Sequence, residues 1–229
     1  GGGMVGFGKD DMYLRSDGGK YLSVPDIADA LAKSGAKYDI ISFDACLMQT
    51  IEIGIAMEPY CDYLLGSEET EPGYGQYYID GFKALAEDPT MSSVDFGSIM
   101  ISNYDYYNTM ENEGEPDPAI TLSLVDVRQL PGIYDDFTAW FGEYSEYFAD
   151  YRYLYLAMAS CVADTYEFAI QDHYDMADLV TLLDMDDGYT EDLVNRINSA
   201  VMVRNSGSGE NIHGLSCYIP YHYIALYDY

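Results

Sequence analysis

The chain has 229 residues, 48% of them hydrophobic, enough apolar material for the core of one large domain. Asp and Glu number 40 against 10 Lys and Arg, and the net charge of -30 repels phosphate backbones and anionic lipid surfaces, which excludes nucleic acid as a partner. The same field draws in cationic peptides or metal ions, although an acidic surface also serves simply to keep an extracellular protein soluble.

No apolar stretch reaches the roughly 18 residues of a membrane span. The chain opens on GGGMVGFG, with neither Met nor a charged-then-apolar leader. Gly1-x-Gly3-x-x-Gly6 matches a dinucleotide fingerprint in letters only, because no strand precedes it and KDDMYLRSDGGK follows where a helix should. KYLSV predicts a short strand. Ser23, with Pro25 just inside, opens an amphipathic helix carrying Ile27, Ala30 and Leu31, and Ser34-Gly35 stops it.

Residues 37 to 43, KYDIISF, read as a strand buried on both faces. Met48, Ile51 and Ile55 repeat with helical period up to Pro59, and CDYLLG is a second buried strand closing at Gly66. Strand, helix, strand implies a parallel pair with a right-handed crossover, hence an α/β layered sheet.

Downstream, a helix is expected over 93–107, a polar loop over 108–118, a strand at TLSLVDV and a long aromatic helix with Trp140 over 130–149. DMADLVTLL and EDLVNRINSAVMV read as helices, NSGSGEN as a loop, and HGLSCYIP as a last strand. DMDDGYTED approaches a calcium loop, but Gly188 comes one place early, so the segment reads as an acidic helix cap. The final YIPYHYIALYDY is still strand-like. Both ends therefore read as cuts through a longer protein.

In an open parallel sheet, ligands bind beyond the carboxyl ends of the strands, which is where Asp44, Ala45 and Cys46 fall. A helix N-terminus there would favour a thiolate, making Cys46 a candidate nucleophile. Free cysteines are also common core hydrophobes, the reading given to Cys61, Cys161 and Cys217. No C-x-x-C pair points to zinc or redox chemistry, and no disulfide is indicated. Asp44 is either a helix N-cap or a carboxylate beside the reacting bond. Glu68, Glu69 and Glu71, in GSEETEPGYG, would offer acid from the next strand end to the same pocket. Of the histidines, His213-Gly214 enters a strand after a loop and reads as structural, and His173 and His222 have no distinguishing context.

ISFDACLMQTIEIGIAM, YLLGSEETEPGYG, TLSLVDV and HGLSCYIP resemble, in order, the blocks of the clostripain-like cysteine peptidases, relatives of caspases, gingipains and legumains. The resemblance implies one caspase-like peptidase domain over 1–229, an α/β/α sandwich around a mostly parallel sheet, incomplete at its N-terminus. It implies hydrolysis of polypeptides after Arg or Lys by a bacterial protein that is secreted or on the cell surface. Cys46 matches the family nucleophile and Asp44 a position lining the pocket for the basic side chain, with Glu68, Glu69 and Glu71 in the loop that helps build it.

The family's base is a histidine expected just before Gly1, which would leave Gly1 to offer an oxyanion-hole N–H and the chain as given inactive alone. Activation cuts fall between that histidine and the cysteine, and Arg15, in the turn DMYLRSDGG, is the expected site, with Lys9 and Lys20 behind it. Calcium stimulation also occurs in the family, but no ligand set stands out. The alternative is a noncatalytic caspase-like domain that binds basic peptides or partner proteins through its acidic face; a cysteine hydrolase of nonpeptide acyl groups is a third reading.

Overall fold

The computed structural model describes residues 2–3, 6–7, 22–115, 117, 120–147, 173–183, 188–205, 209 and 211–219. Gly1, Lys9, Arg15, Lys20, Cys161, His222, the acidic stretch 184–187 and most of the NSGSGEN loop lie outside the described residues.

Strands β1 (Gly2–Gly3), β2 (Gly6–Phe7) and β3 (Leu22–Ser23) form a small antiparallel ribbon. Ser23 then caps α1 (Val24–Ser34) as its sequence predicts. Its Oγ accepts the Asp26 N–H, and the Asp26 carboxylate accepts the Ser23 N–H in return. Gly35, at φ 67°, ends the helix in the left-handed conformation.

Next come β4 (Tyr38–Ser42), α2 (Ile51–Met57) and β5 (Cys61–Gly66), with β4 parallel to β5 and Ser42 opposite Leu65. After α3 (Ile79–Glu87) and α4 (Ser93–Glu111), β6 (Ser123–Asp126) returns antiparallel to β5. The chain continues through α5 (Leu130–Tyr147), β7 (His173–Asp175), α6 (Met176–Leu182), α7 (Tyr189–Ala200), β8 (Val201–Arg204) and β9 (Ser216–Tyr218). The main sheet has the order β4-β5-β6-β8, and β7 pairs with β9 apart from it. It is a mixed sheet, parallel in the unit that carries the site and antiparallel beyond.

Alternation along the strands makes the layers. Leu64 and Val125 point into one cluster with α2, α5, α6 and α7, while Leu65 and Leu124 point to the other face, against Met100, Ile101 and Tyr104 of α4. The result is an α/β/α sandwich. Each wholly buried leucine contributes roughly 2 kcal/mol. Trp140 is buried in α5, and its Nε1 donates to Thr190 Oγ1 of α7 at 3.2 Å, tying the helices together.

Four expectations need correction. Residues 37–43 are not buried on both faces: β4 is the outer strand of the described sheet, so Tyr38, Asp39 and Ser42 are exposed. Helix α3 has no counterpart in the sequence reading, because its N-cap Tyr78 makes no side-chain capping bond and Ile79 and Phe82 are exposed, which removes both the start signal and the buried stripe. The loop expected from 108 begins only after Glu111. Finally, VMVR is strand rather than helix, since Val201 turns extended directly at the helix end and the segment pairs with β6.

Candidate active site

The ladder between β4 and β5 runs one bond past the strand, Phe43 N–H to Leu65 O at 2.9 Å, and the chain then leaves the sheet in a tight turn. Leu47 sits there at φ 61°, a left-handed conformation costly for a branched side chain. Hydrogen bonds hold it. The Leu47 N–H donates to Glu69 O at 3.1 Å, the Gln49 N–H to Ser67 O at 3.0 Å, and Ser216 N–H to Gln49 O at 3.0 Å. The buried Gln49 side chain donates from Nε2 to Leu64 O and Ser123 O, both at 3.3 Å. This turn carries Cys46, and strand ends of β5, β6 and β9 all fix it.

Two expectations about that turn fail. Asp44 does not cap the helix, and Cys46 does not stand at its N-terminus, because α2 starts only at Ile51 and Thr50 caps it, Oγ1 accepting the Ile53 N–H at 3.3 Å. The dipole of α2 therefore acts beyond its effective range. What Cys46 Sγ has instead is the backbone N–H of Glu71, at 3.2 Å.

Asp44 is held by the loop that follows β5. Its Oδ1 accepts the Gln76 N–H at 3.2 Å and its Oδ2 the Tyr78 hydroxyl at 2.6 Å. Gly75, at φ 68°, allows the approach: a Cβ there would lie 2.7 Å from each carboxylate oxygen. Gln76 Nε2 bridges Phe43 O, at 3.1 Å, and Glu71 Oε1, at 3.2 Å. The other Glu71 oxygen is buried and meets no donor among the described residues. Residues 44–46 and 71–75 thus wall a cleft of about 340 Å³. Burial first, then a hydrogen bond shared with Asp44, pushes the Glu71 carboxyl up to about 8. Burial and the Asp44 bond likewise push the Tyr78 hydroxyl up.

The three glutamates part company. Glu71 reaches the cleft; Glu69 is buried on its own turn, Oε1 accepting the Thr70 N–H at 2.6 Å; Glu68 is turned inward beside Asp175. Burial, and then the charge of Asp175, hold the Glu68 carboxyl well above the usual range. Thr121 Oγ1 fixes the turn by accepting the N–H groups of Glu68 and Glu69, each at 3.0 Å. His213 is the satisfied structural histidine its position suggested: its Nδ1 pairs with Asp175 Oδ1 at 2.9 Å, and that bond raises its pKa. His173 is buried in β7, its ring centroid 5.1 Å from that of Tyr218. Cys61 and Cys217 are buried and free, and burial pushes the Cys61 thiol up to about 11.

Gln49, Gln76, Tyr78, Thr121 and Asp175 escaped the sequence reading. Only Gln49 left a trace, as a polar residue inside the apolar run after Cys46. Among the described residues no group of three His, Cys, Asp or Glu side chains is arranged to hold a metal ion, so the calcium expectation finds no fit there.

Comparison with known proteins adds a family and a fold. The family model of the clostripain family, peptidase C11, matches residues 10–214. A search of curated proteins returned no match. A Bacteroides fragilis cysteine protease superposes with a TM-score of 0.64 at 17% identity, covering 93% of this chain and 88% of that one. A clostripain from Bacteroides thetaiotaomicron ATCC 29148, solved with the peptide inhibitor BTN-VLTK-AOMK, gives 0.58 at 14%, with coverages of 86% and 85%. A secreted C11 cysteine protease from Bacteroides thetaiotaomicron, solved with an irreversible peptide inhibitor, gives 0.67 at 18%, covering 96% of this chain and 63% of that one. At these identities the structural likeness shows the fold alone.

Proposed function

The chain belongs to the clostripain family of cysteine peptidases and has their caspase-like α/β/α fold, and from that premise we propose that it cuts polypeptides after arginine or lysine. Cys46 is the nucleophile, and Asp44 and Glu71 receive the basic side chain. One observation carries the assignment: the thiol and both carboxyl groups line a single cleft.

The Cys46 thiolate attacks the carbonyl carbon after the basic residue, the C–N bond breaks as the amine leaves with a proton from the base, and water then hydrolyses the thioester. The Glu71 N–H at 3.2 Å supports the thiolate before attack. We assign the base to the histidine expected ahead of Gly1, and the oxyanion to the N–H groups of Gly1 and Cys46. Paired carboxylates in a partly desolvated cleft suit the two-pronged guanidinium of arginine better than an ammonium. The lysine ending the inhibitor sequence of the thetaiotaomicron clostripain supports selection of basic residues, and the secreted relative supports secretion. No helix among the described residues is long and apolar enough to cross a membrane. Activation is assigned to a cut at Arg15.

The test is Asp44→Asn in the full-length protein, with matched arginyl, lysyl and neutral peptide reporters. Removing one of the two carboxylates that receive the cation should lower kcat/KM on the basic reporters by about tenfold while the neutral reporter changes little. An arginyl-to-neutral ratio that survives the substitution overturns the assignment of the pocket.

A further inference from the structure

The rim of the cleft continues into an exposed aromatic surface. Tyr74 lines the cleft, is 55% exposed, and donates its hydroxyl to Asn108 Oδ1 of α4 at 2.7 Å. Tyr78, the donor to Asp44, leads to Phe82, with ring centroids 6.2 Å apart, and Phe82 to Phe96, at 5.8 Å. A second run goes from Tyr77 to Tyr107, at 3.5 Å, and on to Tyr106, at 5.2 Å. Phe82 and Tyr106 are 56% and 59% exposed, far more than packing of α3 on α4 requires. Acid is interleaved with the rings: between Gly66 and Asp117 the sequence has twelve Asp or Glu and one cation, Lys83. Asp80 and Glu111 are exposed on α3 and α4, their charges felt at the hydroxyls of Tyr107 and Tyr74.

We propose that this surface, residues 74–82 with the outer face of α4, is a docking site for a Lys- and Arg-rich segment of the substrate polypeptide, flanking the basic residue held at Asp44. Exposed rings offer their negative faces to ammonium and guanidinium groups, and neighbouring carboxylates attract cationic chains at long range, repel acidic ones and give neutral ones no pull. Continuity with the cleft through Tyr74 and Tyr78 lets one chain occupy both. The inference rests on the pocket taking a basic side chain.

The experiment compares two reporters on the full-length protein at low salt: a short peptide with one arginine at the cleaved bond, and the same peptide extended by a Lys- and Arg-rich tail. The double variant Phe82→Ala/Tyr106→Ala leaves Asp44, Glu71 and Cys46 in place. Wild type should prefer the tailed reporter, and the variant should lose about five- to tenfold of that preference with the short reporter unchanged. Asp80→Asn/Glu111→Gln, which spares the rings, should lose a similar share and flatten the dependence on salt. An unchanged preference in both variants overturns the proposal, as does a changed oligomeric state with the preference intact, which would make the surface a contact between copies. If the short reporter is not turned over at all, the peptidase reading fails separately. Fluorescence anisotropy of the labelled tail peptide on Cys46→Ala protein then decides docking alone, equal affinity of wild-type and variant surfaces refuting it.

Discussion

Glu71 lines the cleft together with Asp44 and Cys46. Asp44, Tyr78 and Tyr104 all lie close enough to act on it or feel its charge, and none is a cation. With its carboxyl pushed to about 8, the folded protein favours the protonated form. The stability this carries is complete below the ordinary carboxylate range and is lost as pH rises through about 8. A guanidinium in the cleft reverses the preference, since it gains a second carboxylate only by releasing that proton. The inhibition constant of a simple alkylguanidine, which leaves the thiol untouched, should therefore tighten roughly tenfold from about pH 6 to about pH 8. Glu71→Gln should bind it weakly and with a flat profile; a steep profile in that variant would place the titrating group elsewhere. That Asp44 and Cys46 come together at one cleft is legible in the sequence, because they follow the end of a parallel strand. Which of Glu68, Glu69 and Glu71 faces the cleft is not, because the turn pinned by Thr121 sends the first two inward, and that turn depends on β6 arriving from far along the chain.

At the scale of elements, the site depends on a gap. Between the end of β4 and the start of α2 the chain has no regular structure, which is why the helix periodicity of Met48, Ile51 and Ile55 misplaced the helix start: Met48 is buried by the turn and precedes the helix. Thr50 ends that turn, capping α2 with its side chain and bridging Ser216 with its backbone. Thr50→Ala should cost about 1 kcal/mol. For a chain of this size that lowers Tm by about 2–4 °C in a thermal melt. An unaltered melting temperature would mean that the backbone bonds of Gln49 alone hold the turn. The Ser23 start and Gly35 stop of α1 and the strand CDYLLG are legible because their signals are local. Helix α3 and strand β8 are not, one lacking a side-chain cap and the other following its helix without a break signal.

The whole molecule joins a site at one edge of a sheet to a charge of -30. The fold follows from the βαβ unit and the alternation that sends Leu64 and Leu65 to opposite layers. A charge of that sign attracts cations and repels anions, and it does not decide which fold forms. The account stands on Cys46 being the thiol that attacks at basic residues. The most direct measurement treats the full-length protein with a peptidyl acyloxymethyl ketone ending in arginine or lysine and maps the adduct by mass spectrometry. The account predicts one adduct, on Cys46, lost in Cys46→Ala and suppressed in Asp44→Asn; an adduct on another residue, or arginyl peptide turnover that persists in Cys46→Ala, would contradict it.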